Sequence, residues 1–145
     1  MVKRKKAVYV EDSLTVSGKR KEALAKATIN KGSGRIRINK RPIESYSYLR
    51  QLSLKEPLII AKDIIPEELG KVDISVNVQG GGVESQVEAS RLSISRALVN
   101  FTKNEQLKKA FLSYDRSLLV ADVRRKEMRK PGDSKARAKR QKSYR

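Results

Sequence analysis

Val72-Asp-Ile-Ser-Val-Asn-Val-Gln79, followed by Gly80-Gly-Gly82 and then by Val83-Glu-Ser-Gln-Val-Glu-Ala-Ser90, is the stretch on which the fold turns. Val72, Ile74, Val76 and Val78 alternate with Asp73, Ser75, Asn77 and Gln79, a period of two that puts one face of a strand in a core. The three glycines end the strand. Beyond them Val83, Val87, Ile94, Leu98 and Phe101 fall near one face of a helix. Glu84 and Glu88 lie in its first turns, where the helix dipole favours acids, and Glu88 with Arg91 forms an i,i+3 pair. A strand, a glycine turn and a long helix in this order predict an α+β fold, a two-layer sandwich of a mixed sheet with helices packed on it.

Working outward, Ala23, Ala25, Ala27 and Ile29 alternate with Leu24, Lys26, Thr28 and Asn30, a second strand. Gly32-Ser-Gly34 follows, and then Ile36 and Ile38 alternate with Arg35, Arg37 and Asn39. The glycines predict a turn between the two runs, hence a β-hairpin with a cationic outer face. From Pro42 to Leu69 the pattern predicts short helical pieces interrupted at Pro57 and Pro66, with Tyr46, Leu49 and Leu52 at helical spacing. Asn104 reads as the N-cap of a further helix through Leu107, Ala110 and Phe111. The predicted core is Ile29, Ile38, Ile74, Val76, Val87, Ile94 and Leu98. Residues 1–17 read as an N-terminal extension, 18–115 as the globular domain and 116–145 as an extended basic tail.

The chain of 145 residues carries 34 Lys and Arg against 16 Asp and Glu, a net charge of +18. So many like charges in a small body repel one another, and a polyanion relieves that repulsion while releasing counterions. Nucleic acid is the partner this implies. No run of about 18 apolar residues and no basic amphipathic anchor points to a membrane. Met1-Val-Lys-Arg-Lys-Lys6 is like the start of a signal peptide, but Glu11 and Asp12 interrupt any apolar segment after it, so a cytoplasmic protein is expected.

Catalytic chemistry finds little support. The chain has no His and no Cys, which removes the commonest general base and the usual zinc ligands. Glu67-Glu68 and Glu84 with Glu88 are the only candidate carboxylate clusters, and they read as a solvated turn and a helix start. Gly80, Gly81 and Gly82 lack the Lys-Ser/Thr of a phosphate-binding loop and the spacing of a dinucleotide fingerprint. They read as a structural turn, with room for one phosphate contact. No cofactor, metal or small-molecule substrate is expected.

Half the excess charge lies in residues 124–145, where eleven Lys or Arg stand against two acids for a net +9. Such a segment cannot bury enough apolar surface to offset its ordering entropy and is expected to be disordered alone in water. Its arginines suit bidentate phosphate contacts, and Tyr144 suits stacking on a base, worth about 1–3 kcal/mol. Composition alone leaves open an RNA-threading tail and a DNA-coating one. The runs Lys3 to Lys6 and Gly18-Lys-Arg-Lys21 read as solvated surface singly. Together with Arg35, Arg37, Lys40 and Arg41 from the predicted hairpin they read as a phosphate-facing surface.

A resemblance decides between the two kinds of tail. Gly18-Lys-Arg-Lys-Glu-Ala-Leu-Ala-Lys-Ala27 resembles the opening of the family of the universal small-subunit ribosomal protein number nine. Gly32-Ser-Gly-Arg-Ile-Arg-Ile-Asn39, Gln79-Gly-Gly-Gly-Val-Glu-Ser-Gln86, Ser95-Arg-Ala-Leu98, Asp115-Arg116 and Val123 to Gly132 resemble that family's later blocks, in the same order. The ending Tyr144-Arg145 is similar to the archaeal and eukaryotic branch, where bacterial members end in Lys-Arg. Val123-Arg-Arg-Lys-Glu127 departs from the family's Glu-Arg-Lys-Lys, with acid and base exchanged.

The resemblance implies a left-handed βαβ crossover, an exception to the usual hand. It implies a place in the head of the small ribosomal subunit among neighbouring head proteins. Contacts to ribosomal RNA are then expected from Lys19, Arg20, Lys21, Arg35, Arg37, Arg124, Arg125, Lys126, Arg129, Lys130, Lys135, Arg137, Lys139 and Arg140. The tail is expected to reach the anticodon stem-loop of the peptidyl-site tRNA, with Arg145 as terminal phosphate contact and Lys142, Ser143 and Tyr144 behind it.

Overall fold

The alternation at Val72–Gln79 becomes the middle strand of a five-stranded mixed sheet. The structure is a computed structural model that describes residues 13–132, 135–138 and 142–144. The strands are β1 (Ser13–Arg20), β2 (Ala23–Lys31), β3 (Ile36–Ile38), β4 (Arg41–Pro42) and β5 (Val72–Gln79), in the order β1-β2-β5-β3-β4. The helices are α1 (Tyr48–Ile64), α2 (Pro66–Leu69), α3 (Val83–Thr102) and α4 (Glu105–Tyr114). β1 pairs antiparallel with β2, β2 antiparallel with β5, and β3 parallel with β5. Two adjacent parallel strands need a crossover, and α1 with α2 supplies it between β3 and β5.

One sheet face is apolar and covered by helices. Val72, Ile74, Val76 and Val78 of β5 are buried, as are Ala23, Ala25, Ala27 and Ile29 of β2. The alanines leave β2 flat, so α3 lies close across β1 and β2, and its own facing residues are small as well: Ala89, Ser93 and Ala97 are fully buried. α1 packs beside α3, and α4 packs against α1 and α3 through Leu107 and Phe111. All seven residues predicted for the core are buried. Asn104 caps α4 as expected, its side chain accepting from the N–H groups of Gln106 and Leu107.

Four expectations are corrected. The hairpin predicted across Gly32-Ser-Gly34 does not form, because β5 inserts between β2 and β3. The connection instead crosses the start of β5, where Asp73 Oδ1 accepts from Ser33 N at 2.7 Å and Arg35 N at 2.9 Å. Those two N–H groups, Arg35 first, hold the Asp73 carboxyl below the usual carboxylate range. Arg35 and Arg37 therefore belong to a sheet edge with β4, whose two-residue turn Asn39-Lys40 has φ of 49° and 66°. Asn39 Nδ2 donates to Val78 O, and Val78 N donates back to Asn39 Oδ1.

β2 forms its hairpin with β1 instead, through Lys21-Glu22. The sheet thus begins at Ser13, inside the stretch read as an extension. Pro57 does not interrupt α1, which runs 17 residues with Leu54, Pro57 and Ala61 buried; packing holds a helix that local propensity would break. The body also continues past Asp115. Arg116–Leu118 forms a helical turn whose Leu118 is fully buried, with Leu119 packed against the core behind it.

Candidate nucleic-acid interface

The glycine loop sits where β5 ends and α3 begins, against the β1–β2 hairpin. Gly80 and Gly81 have φ of 75° and 63°, and a Cβ on them would lie 2.7 Å from Glu22 O and 3.0 Å from Ala23 N. Both conformation and space require glycine there. Gln86 Nε2 donates to Gly80 O at 3.1 Å and ties the loop to α3.

This loop, the Lys21-Glu22 turn and the start of the C-terminal tail enclose an open cavity of about 740 Å³. Its rim carries Lys19, Lys21, Arg124, Arg125 and Lys126, with Glu22 as its one acid. Among the described residues no acid pairs with Lys19, Lys21, Arg125 or Lys126, so four of the five charges are left without a counter-charge; Lys19 is half-buried and the other three are exposed. An anion of extended shape is what such a surface attracts.

The tail is anchored beside that cavity. Arg20 Nε donates to Glu88 on α3, and its Nη1 donates to Asp122. Asp122 also accepts from Arg124, at 2.8 Å from its N–H and 2.6 Å from Nη2. Its carboxyl is held far below the usual carboxylate range, by the Arg124 side chain first, then the Arg124 N–H and Arg20. Arg96 Nε donates to Leu119 O at 2.8 Å and Nη1 to Ser17 O at 2.9 Å, so one guanidinium bridges β1 and the segment leading to the tail. Arg91 reaches Glu56 and Asp115, both at 2.8 Å.

The expected contact residues therefore divide. Lys19 and Lys21 meet Arg124, Arg125 and Lys126 around one cavity. Arg35 and Arg37 do not join them: β2 and β5 separate β3 from β1. Arg20 is engaged with two carboxylates, and Arg137 with Glu127 at 2.8 Å. Arg129, Lys130 and Lys135 are exposed, as are Lys142, Ser143 and Tyr144; Lys139, Arg140 and Arg145 lie outside the described residues.

Sequence reasoning passed over Asp122, Glu88, Arg91 and Arg96 as anchors. Nothing local in the sequence marks them, because partners such as Arg20 for Glu88 and Asp122, and Glu56 for Arg91, lie far along the chain. Among the described residues no acidic cluster is suited to a metal, and no helix is long and apolar enough to cross a membrane.

Comparison with known proteins matches the same regions. The family described as Ribosomal protein S9/S16 matches residues 18–145. The chain is 49% identical over 132 residues to the small ribosomal subunit protein uS9 of Methanococcus vannielii, covering 88% of this chain and 95% of that protein. Identity and coverage are the same for the uS9 proteins of Methanococcus maripaludis strains C7 and C5. With the Lys21-Glu22 turn, β2, the glycine loop and the basic tail all inside the matched residues, the chain belongs to the ribosomal protein S9/S16 family.

Proposed function

We propose that this chain is a structural constituent of the small ribosomal subunit that binds ribosomal RNA in the subunit head and supports peptidyl-site tRNA through its C-terminal tail. The observation that carries this is the family match, which runs unbroken through body and tail. The role is non-catalytic: the protein supplies position and charge, not bond chemistry.

The physical arrangement supports the reading. A folded body presents unpaired cations around a cavity, and a segment with eleven basic residues leaves from its rim. A cationic strand enters a crowded RNA interior where a compact domain cannot, reaching up to about 3.3 Å per residue. RNA phosphates then supply the order that the tail's composition lacks. Tyr144, exposed near the end, is free to stack on a base. Neighbouring head proteins would meet the remaining surface.

The test is sedimentation of a cell extract on a sucrose gradient. The chain should comigrate with small subunits and remain there after moderate salt washing. Recovery as free protein, or with DNA, would overturn the proposal.

A further inference from the structure

The glycines of the loop are not equivalent. Gly80 and Gly81 are demanded by positive φ and by the backbone of Glu22 and Ala23. Gly82 is not: its φ of −96° suits any residue, and nothing lies within 4 Å of where a Cβ would be. It is also the N-cap of α3, without a side-chain cap, and Asn, Asp or Ser there would stabilise the helix. Nothing among the described residues accounts for a glycine at this position. Beside it lies the 740 Å³ cavity that Gly82 itself helps to line, with Lys19, Lys21, Arg125 and Lys126 at the rim and no acid paired with them among the described residues.

We propose that this cavity grips the sugar–phosphate backbone of ribosomal RNA, and that Gly82 is kept bare so that the backbone can approach α3. This deepens the reading of the chain as an RNA-bound ribosomal protein and rests on it. The volume falls among those that enclose whole small molecules, which suits a length of backbone better than an isolated ion. Lys19 and Lys21 come from the β1–β2 hairpin and Arg125 and Lys126 from the root of the tail, so two separate segments supply the cations that hold the strand. The same contact delivers the RNA to the point where the tail departs.

The test uses the full-length protein and deproteinised small-subunit RNA, with binding measured over a series of salt concentrations. Gly82→Asn leaves net charge unchanged and offers α3 a cap. It should melt at or above the wild-type temperature, yet bind about tenfold more weakly, the loss of one charge-assisted phosphate contact. Its salt dependence should fall by about one unit of slope. Equal affinity and equal slope for a folded Gly82→Asn would overturn the cavity while leaving RNA binding intact. If the wild type itself fails to bind, the underlying reading falls and the proposal with it. Should Gly82→Asn melt early, Lys19→Gln with Lys21→Gln decides: a slope lowered by about two supports the cavity, and an unchanged slope overturns it.

Discussion

Gly18 of β1 lies directly against Ala89 of α3: a Cβ on Gly18 would collide with the carbonyl oxygen of Ala89 and stand 2.8 Å from Ser93 N. The obstruction is helix backbone, which cannot turn aside as a side chain can. The contact fixes how closely α3 sits on the β1–β2 hairpin, and so where the glycine loop meets Lys21 and Glu22.

Gly18→Ala should therefore destabilise the fold by about 3 kcal/mol, the upper end of the usual overpacking range. Chemical denaturation would show a lower midpoint with little change in slope. An unchanged midpoint would contradict the close packing of β1 on α3.

Leu118 separates two accounts of where the body ends. Its full burial predicts that Leu118→Ala costs about 2–5 kcal/mol, as for other core leucines. A chain stopped after Asp115 should unfold more easily still, whereas one stopped after Arg124 should melt like the full-length protein. Thermal melts of the three variants check this. Equal stability for the chain stopped at Asp115 would return the segment after it to the tail.

The Asp122 anchor should carry a pH signature. Its carboxyl titrates lower in the folded chain than in the unfolded one. Its stabilisation is thus complete above the ordinary carboxylate value of about 3.9 and disappears as pH falls towards the lower folded value. Asp122→Asn should lower the melting temperature by a similar amount from pH 5 to pH 8. That difference should shrink below about pH 4. A difference that is flat into strong acid would show that the ion pairs with Arg20 and Arg124 contribute nothing.

Much of this architecture is legible in the residues. The period-two run of Val72–Gln79 and the helical spacing after Gly82 predict β5 and α3, and Asn104 marks the start of α4. Which strands become neighbours is not legible. Gly32-Ser-Gly34 has the composition of a hairpin turn, but it is β5, placed further along the chain, that occupies the position beside β2. The hairpin that β2 does form turns on Lys21-Glu22, with Lys21 at φ 52° and no Asn or Gly to announce it.

The site was half legible for a similar reason. Lys19, Lys21 and Arg124 to Lys126 stand out as basic runs, and the fold brings them to one cavity. Arg20 stands in the same run and looks identical, yet its partners Glu88 and Asp122 lie 68 and 102 residues away. Only the packing of α3 on β1 makes it an anchor. Leu118, a buried apolar residue after the last long helix, likewise gives no local sign that it belongs to the core.

The central claim is that a folded body holds the chain in the subunit while the tail's end serves tRNA. It is tested most directly by deleting Lys142 to Arg145 and measuring peptidyl-site tRNA affinity on purified small subunits carrying the shortened chain. The account predicts normal folding and normal incorporation, with weaker tRNA binding. Undiminished tRNA affinity, or failure of the shortened chain to assemble, would contradict it.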